Sequence, residues 1–157
     1  MSILGDIARV SPLELDKLSS NADAYGWLSR EAPSVDLDRY WDGLRFAIDA
    51  AGSPVNPIGD GRPYPDEGSV WGADLPQATS HVLSCDEVRQ ASAWLSVTPF
   101  SSLVLHLAKA NAAGLYPANY DWTSPAVQTN MASCFRMLVI FFHEAATAGE
   151  CCVFWAA

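Results

Sequence analysis

The last quarter of this chain constrains everything before it. Behind Ser124-Pro125, the residues Val127, Met131, Cys134, Phe135, Leu138, Phe141, Phe142 and Ala145 recur at the period of an α-helix. Met137, Val139 and Ile140 add a second apolar side over the C-terminal half, so the pattern predicts a helix buried from two directions. Gly149 stops it. Residues 151–155 then read Cys-Cys-Val-Phe-Trp, with no polar alternation. A strand that is apolar on both faces belongs in the middle of a sheet, covered from both sides. A long core helix that feeds such a strand points to helices layered on a sheet.

The remaining elements fit that plan. Residues 3–10 alternate moderately and predict a first strand, which ends at the capping box Ser11-Pro12-Leu13-Glu14. A short helix should follow to about Leu18, with a further turn or two over residues 22–29. Leu37, Trp41, Leu44 and Ile48 recur at i, i+4, i+7 and i+11. They predict one buried stripe on a helix capped by Asp36 or Asp38 and running to about Ala51. Asp38, Asp42, Arg45 and Asp49 fall beside or opposite the stripe. Gly43 sits mid-helix at a cost of about 1 kcal/mol relative to Ala, which implies close packing against the backbone there.

A strand at residues 81–83 feeds a second capping box, Ser84-Cys85-Asp86-Glu87, and a helix with Val88, Ala91 and Leu95 inward. Thr98-Pro99 opens another, with Phe100, Leu103, Val104 and Leu107 inward and Gly114 as its stop. Between these parts, residues 52–80 carry Gly52, Gly59, Gly61, Gly68 and Gly72 together with Pro54, Pro57, Pro63, Pro65 and Pro76. Such a long irregular segment is either a functional loop or disordered, and Tyr64 and Trp71 argue that it packs. Short strands are expected near residues 55–58 and 69–71.

Composition narrows the function classes. At 157 residues, half of them hydrophobic, the chain is long enough for one domain with a sizeable core. Its formal charge of −9 repels phosphate backbones and anionic lipid, so neither nucleic acid nor a membrane surface is an expected partner. The N-terminus lacks a basic and then apolar leader pattern, and the longest strongly apolar run, residues 137–142, falls far short of the ~20 needed to span a bilayer. A cytoplasmic protein is expected. In that setting Cys85, Cys134, Cys151 and Cys152 read as buried free thiols. Adjacent strand residues point to opposite faces, so Cys151 and Cys152 cannot bridge each other readily. With no Cys-x-x-Cys and only His81, His106 and His143, neither zinc nor another cofactor is expected.

Several stretches together resemble the YfbM-like bacterial proteins, a family of unknown function. They are residues 3–15 (Ile-Leu-Gly-Asp-Ile-Ala-Arg-Val-Ser-Pro-Leu-Glu-Leu), residues 37–44 (Leu-Asp-Arg-Tyr-Trp-Asp-Gly-Leu), residues 83–88 (Leu-Ser-Cys-Asp-Glu-Val), Tyr116-Pro117 with Trp122, and residues 142–150 (Phe-His-Glu-Ala-Ala-Thr-Ala-Gly-Glu). Each motif is weak alone; their order along nearly the whole chain carries the likeness. The resemblance implies a single α/β domain, residues 1–157, with a small mixed sheet packed by helices, and no established activity. It also implies a histidine where this chain has Arg45, so a role needing an imidazole there does not carry over.

No recognisable catalytic signature is present. There is no Gly-x-Ser-x-Gly elbow, Gly59-Asp60-Gly61 lacks the Gly-Lys-Ser/Thr of a phosphate loop, and Asp60, Asp66, Glu67 and Asp74 miss the spacing of a calcium loop. His143 suits a helix C-terminus, and His106 flanks an inward Leu. His81 closes the Gly/Pro-rich segment, where clefts often form. Tyr116, Tyr120 and Trp122 share a loop with Asn119 and Asp121 and form a candidate binding surface; a hydrophobic staple for the following helix is the competing role. The expectation is therefore a non-catalytic binding or adaptor domain that presents an acidic, aromatic surface to a basic protein. The alternative is a small enzyme with a cleft between residues 52–80 and the Trp41 helix, using Asp42, Arg45, His81 and Asp121.

Overall fold

A computed structural model describes residues 2–64 and 80–157. The elements run β1 (Gly5–Val10), α1 (Pro12–Leu18), α2 (Ala24–Arg30), β2 (Ser34–Asp36), a 3-10 turn (Asp38–Tyr40), α3 (Trp41–Ala50), β3 (Arg62–Pro63), β4 (Ser80–Leu83), α4 (Cys85–Val97), α5 (Phe100–Val104), α6 (Leu107–Ala110), α7 (Pro125–Ala148) and β5 (Cys151–Ala156). The strands form one sheet in the order β2-β1-β5-β4-β3. This is the α/β arrangement of helices on a small sheet that the sequence implies.

β5 is central, and all six of its residues are buried. The pleat explains how. Cys152, Phe154 and Ala156 face a core shared with α3 to α7, whereas Cys151, Val153 and Trp155 face a smaller core closed by Leu15 and Leu18 of α1, Ala24 and Leu28 of α2, and Tyr64. Each large side chain so buried contributes about 1.5–3 kcal/mol. The sheet is antiparallel at every described pairing, not mixed. α7 returns the chain at the end from which β5 can run against both β1 and β4, and among the described residues no strand reaches a neighbour by a parallel crossover.

Both capping boxes form: Ser11 accepts from the Glu14 N–H and Ser84 from the Glu87 N–H, with the glutamates reciprocating. α7 ends at Gly149 in the left-handed region, φ 67°. Of the described helices, α7 alone has the length and apolarity to cross a membrane, and here its inner face packs in the protein core. It is buried from one side only. Met137 and Ile140 are exposed.

Other boundaries differ from the pattern reading. The α-helix expected from Asp36 or Asp38 begins at Trp41, since Asp36 ends edge strand β2 and Asp38 takes φ 49°, outside the right-handed α-helical region. Leu37, Leu44 and Ile48 are buried as expected, but Trp41 is half-buried at the start of α3. The helix expected after Pro99 splits into α5 and α6. Residues 55–58 are buried as a loop and not a strand. Asn56 holds them: its side-chain amide donates to the Arg45 carbonyl at 2.8 Å, and its side-chain oxygen accepts from the Ile58 N–H at 3.0 Å. Tyr64 packs as expected, whereas Trp71 and the strand expected at residues 69–71 lie outside the described residues.

Candidate functional site

Asp42 and Arg45, two of the four residues expected to line a cleft, do meet. Asp42 lies in the first turn of α3, 8% exposed. Its Oδ1 accepts from Arg45 Nε at 2.8 Å and Nη2 at 2.6 Å, and its Oδ2 accepts from the Tyr116 N–H at 2.9 Å. Tyr116 in turn accepts at its hydroxyl from the Ile3 N–H at 2.8 Å and stacks on Trp41, ring centroids 6.4 Å apart. Trp41 fills the space left by Gly5 and leans on Phe154. Both oxygens of Asp42 are thus committed to a joint that fastens the Tyr116 loop and the N-terminus to α3. Three of the carboxylate's roughly four acceptor sites are taken in this way, which makes Asp42 a structural anchor of the joint.

The other two residues make no hydrogen bond or ion pair with this joint among the described residues. Asp121 is exposed in a turn, where its Oδ1 accepts from the Thr123 hydroxyl at 2.6 Å, the Thr123 N–H at 3.0 Å and Asn111 Nδ2 at 3.0 Å. Hydrogen bonds from Thr123 and then Asn111 hold its carboxyl below the usual range. His81 is half-buried on β4, opposite Pro63 and Phe154, and its Nδ1 has no hydrogen-bond partner among the described residues. Of the expected quartet, Asp42 and Arg45 form an ion pair, and no hydrogen bond or ion pair links Asp121 or His81 to them among the described residues.

The aromatic loop divides similarly. Trp122 is 1% exposed and belongs to the main core, so it presents no binding surface; the packing role is the one it fills. Tyr120 is half-buried between Trp122 and Tyr40, with centroids 5.5 and 5.7 Å away. Tyr116 is half-buried in the joint just described.

A different place gathers polar groups. An open groove of about 490 Å³ runs between β2 and α7, lined by Asp36 and Asp38 on one wall and Asn130, Ser133 and Met137 on the other, with Tyr40 at one end. Asp36 Oδ1 accepts from the Asp38 N–H at 2.6 Å, which holds the unusual Asp38 backbone. Tyr40 accepts at its hydroxyl from Asn130 Nδ2 at 2.8 Å, bridging the walls. Burial raises the Tyr40 phenol above its ordinary value, partly offset by that bond. At the groove floor, Cys134 donates to the Leu37 carbonyl at 3.8 Å; burial, then Asp38 and Asp36, push its thiol up to about 11. Behind the wall, Asp6 of β1 stands opposite Asp36, and burial together with the Asp36 charge raises its carboxyl to about 6. Negative charge is therefore concentrated along this edge of the sheet. The signal in the sequence is the pair of acids around Leu37, which the helical stripe absorbs when 36–51 is read as one helix.

Residues 1–155 match the model of a family described as a domain of unknown function, DUF1877. The chain belongs to the DUF1877 family. A crystal structure of a protein of unknown function, YfbM from Escherichia coli, is similar to it over 98% of this chain and 99% of that one, with a TM-score of 0.67 and 13% identity. The likeness that the sequence motifs carry is thus confirmed at the level of family and fold. At that identity it concerns the fold alone. No curated protein matches the chain.

Within this DUF1877 domain, no three His, Cys, Asp or Glu side chains among the described residues gather as a metal-ligand set. Arg45, where the resemblance implies histidine, spends its guanidinium on Asp42.

Proposed function

We propose that this DUF1877 domain is a non-catalytic, cytoplasmic binding module whose partner is a basic segment of another protein, held in the groove between β2 and α7. The observation that supports this reading is the pairing of two carboxylates, Asp36 and Asp38, with an exposed methionine, Met137, beside the edge strand of the sheet. An edge strand offers backbone donors and acceptors to an extended chain. Lysine or arginine side chains of that chain would meet the carboxylates and lay their methylene stems on Met137. A cation there also relieves the repulsion between Asp6 and Asp36, and the net charge of −9 speeds its approach.

The test is fluorescence anisotropy with a short labelled peptide of lysine, arginine and small apolar residues. Binding should weaken about 3- to 10-fold in the Asp36→Asn/Asp38→Asn double variant, as expected for two partly exposed charge pairs. It should also fall between about 0.05 M and 0.5 M salt. Equal affinity of wild type and variant removes the groove from the reading. Absence of binding at any salt removes the basic partner.

A further inference from the structure

Cys85 and Cys151 lie far apart in sequence, yet their sulfurs are 3.5 Å apart with no bond between them. Two features of the fold bring them together. Cys85 is the first residue of α4, directly behind the Ser84 cap, and Cys151 is the first residue of β5, two residues after the glycine that ends α7. Cys85 also reaches the carbonyl of that glycine, Gly149, at 3.2 Å. We infer that Cys85 and Cys151 are a peroxide-responsive thiol pair, which closes to a reversible disulfide joining the start of α4 to the start of β5.

The chemistry assigns each sulfur a role. Cys85 is half-buried and Cys151 is buried, so a peroxide arriving from solvent meets Cys85 first. Its sulfur bonds to one peroxide oxygen, the O–O bond breaks, and water leaves, which converts the thiol to a sulfenic acid. The Cys151 sulfur then attacks the sulfenic sulfur. An S–S bond forms, the S–O bond breaks, and the hydroxyl departs as a second water with the Cys151 proton. The two sulfurs lose the two electrons that the peroxide gains. Closing from 3.5 Å to a bond of about 2.05 Å asks for a relative movement of about 1.5 Å, within reach of side-chain rotation.

The same geometry restricts the competitors. Cys152 points to the opposite face of β5, into the larger core, and Cys134 sits on α7 against Leu37. Burial, with the neighbouring Cys85, pushes the Cys151 thiol up to about 12, so Cys151 is the resolving partner and not the sulfur that meets peroxide first.

The test uses the full-length protein, treated with hydrogen peroxide at stoichiometric amounts and mapped by mass spectrometry without reduction. A cross-linked peptide pair containing Cys85 and Cys151 is expected, and dithiothreitol should separate it. The urea midpoint of the oxidised protein should rise, and the rise should vanish on reduction or in Cys85→Ser. A linkage through Cys134 or Cys152, or Cys85 oxidised without any cross-link, overturns the proposal. Because mapping of the wild-type protein gives the answer directly, a misfolded variant does not blur it.

Discussion

Trp122 occupies the space that a side chain at position 43 would need: a Cβ built on Gly43 collides with the six-membered ring of the indole. The glycine that weakens α3 is thus what lets the aromatic loop close over the helix. Gly43→Ala should lower stability by about 1–3 kcal/mol through overpacking, despite a gain of up to about 1 kcal/mol in helix propensity. Urea denaturation measures it. In a Trp122→Leu background the same change should become neutral or stabilising, since the collision is gone. Equal effects in both backgrounds would show that the two residues are uncoupled.

Asp42 is expected to hold the Tyr116 loop. In Asp42→Ala the Tyr116 N–H loses its acceptor, at a cost of about 1–3 kcal/mol, while Arg45 turns to solvent at little cost. Amide exchange at Tyr116 should accelerate more than the global stability change requires. Exchange that follows global stability alone would deny the residue this local role.

Asn56 is buried at 3% exposure and serves both α3 and its own loop. Asn56→Ala should cost about 2–3 kcal/mol, because the Arg45 carbonyl and the Ile58 N–H each lose a partner away from water. Asn56→Asp should do no better, since the Arg45 carbonyl would then face an acceptor. A denaturation midpoint unchanged in either variant contradicts this placement.

Asp6 predicts an unusual pH dependence. Its carboxyl is raised from 3.8 to about 6, so between those values the folded state binds more protons than the unfolded state. Stability from this group is therefore greatest below about pH 4 and declines as pH rises to about 6, where the loss levels off. The full shift would correspond to about 3 kcal/mol, and solvent screening at this partly exposed residue reduces the expectation to about 1 kcal/mol. Asp6→Asn should accordingly be more stable than wild type at pH 7.5 and indistinguishable from it at pH 4. A difference that does not vary with pH would remove Asp6 as its source.

Where one local rule acts on a few neighbouring residues, the chain was legible. Ser11 with Glu14, Ser84 with Glu87, and Gly149 each close a helix end through atoms a few positions apart, so the string of letters shows them. The cysteines and apolar residues of β5 show its burial on both faces for the same reason. Asp36-Leu37-Asp38 was not legible. A single Asp38 in the left-handed region turns an apparent helix start into a strand, a turn and a groove wall. That conformation is held by a hydrogen bond from its own backbone to Asp36, and by strand pairing to β1 that no window of sequence contains.

What the sequence determined by itself is periodicity and composition: a long core helix delivered into a central strand, an acidic chain, and family membership through motifs in order. Tertiary structure alone decided which side chains touch. It joined Asp42 to Tyr116, gave Asp121 to Thr123 and Asn111, buried Trp122 against Gly43, and brought Cys85 to Cys151. The physical reason is range. Hydrogen bonding and helical or pleated repeats act over a few residues, whereas a site depends on packing between segments whose separation is set only when the whole core closes.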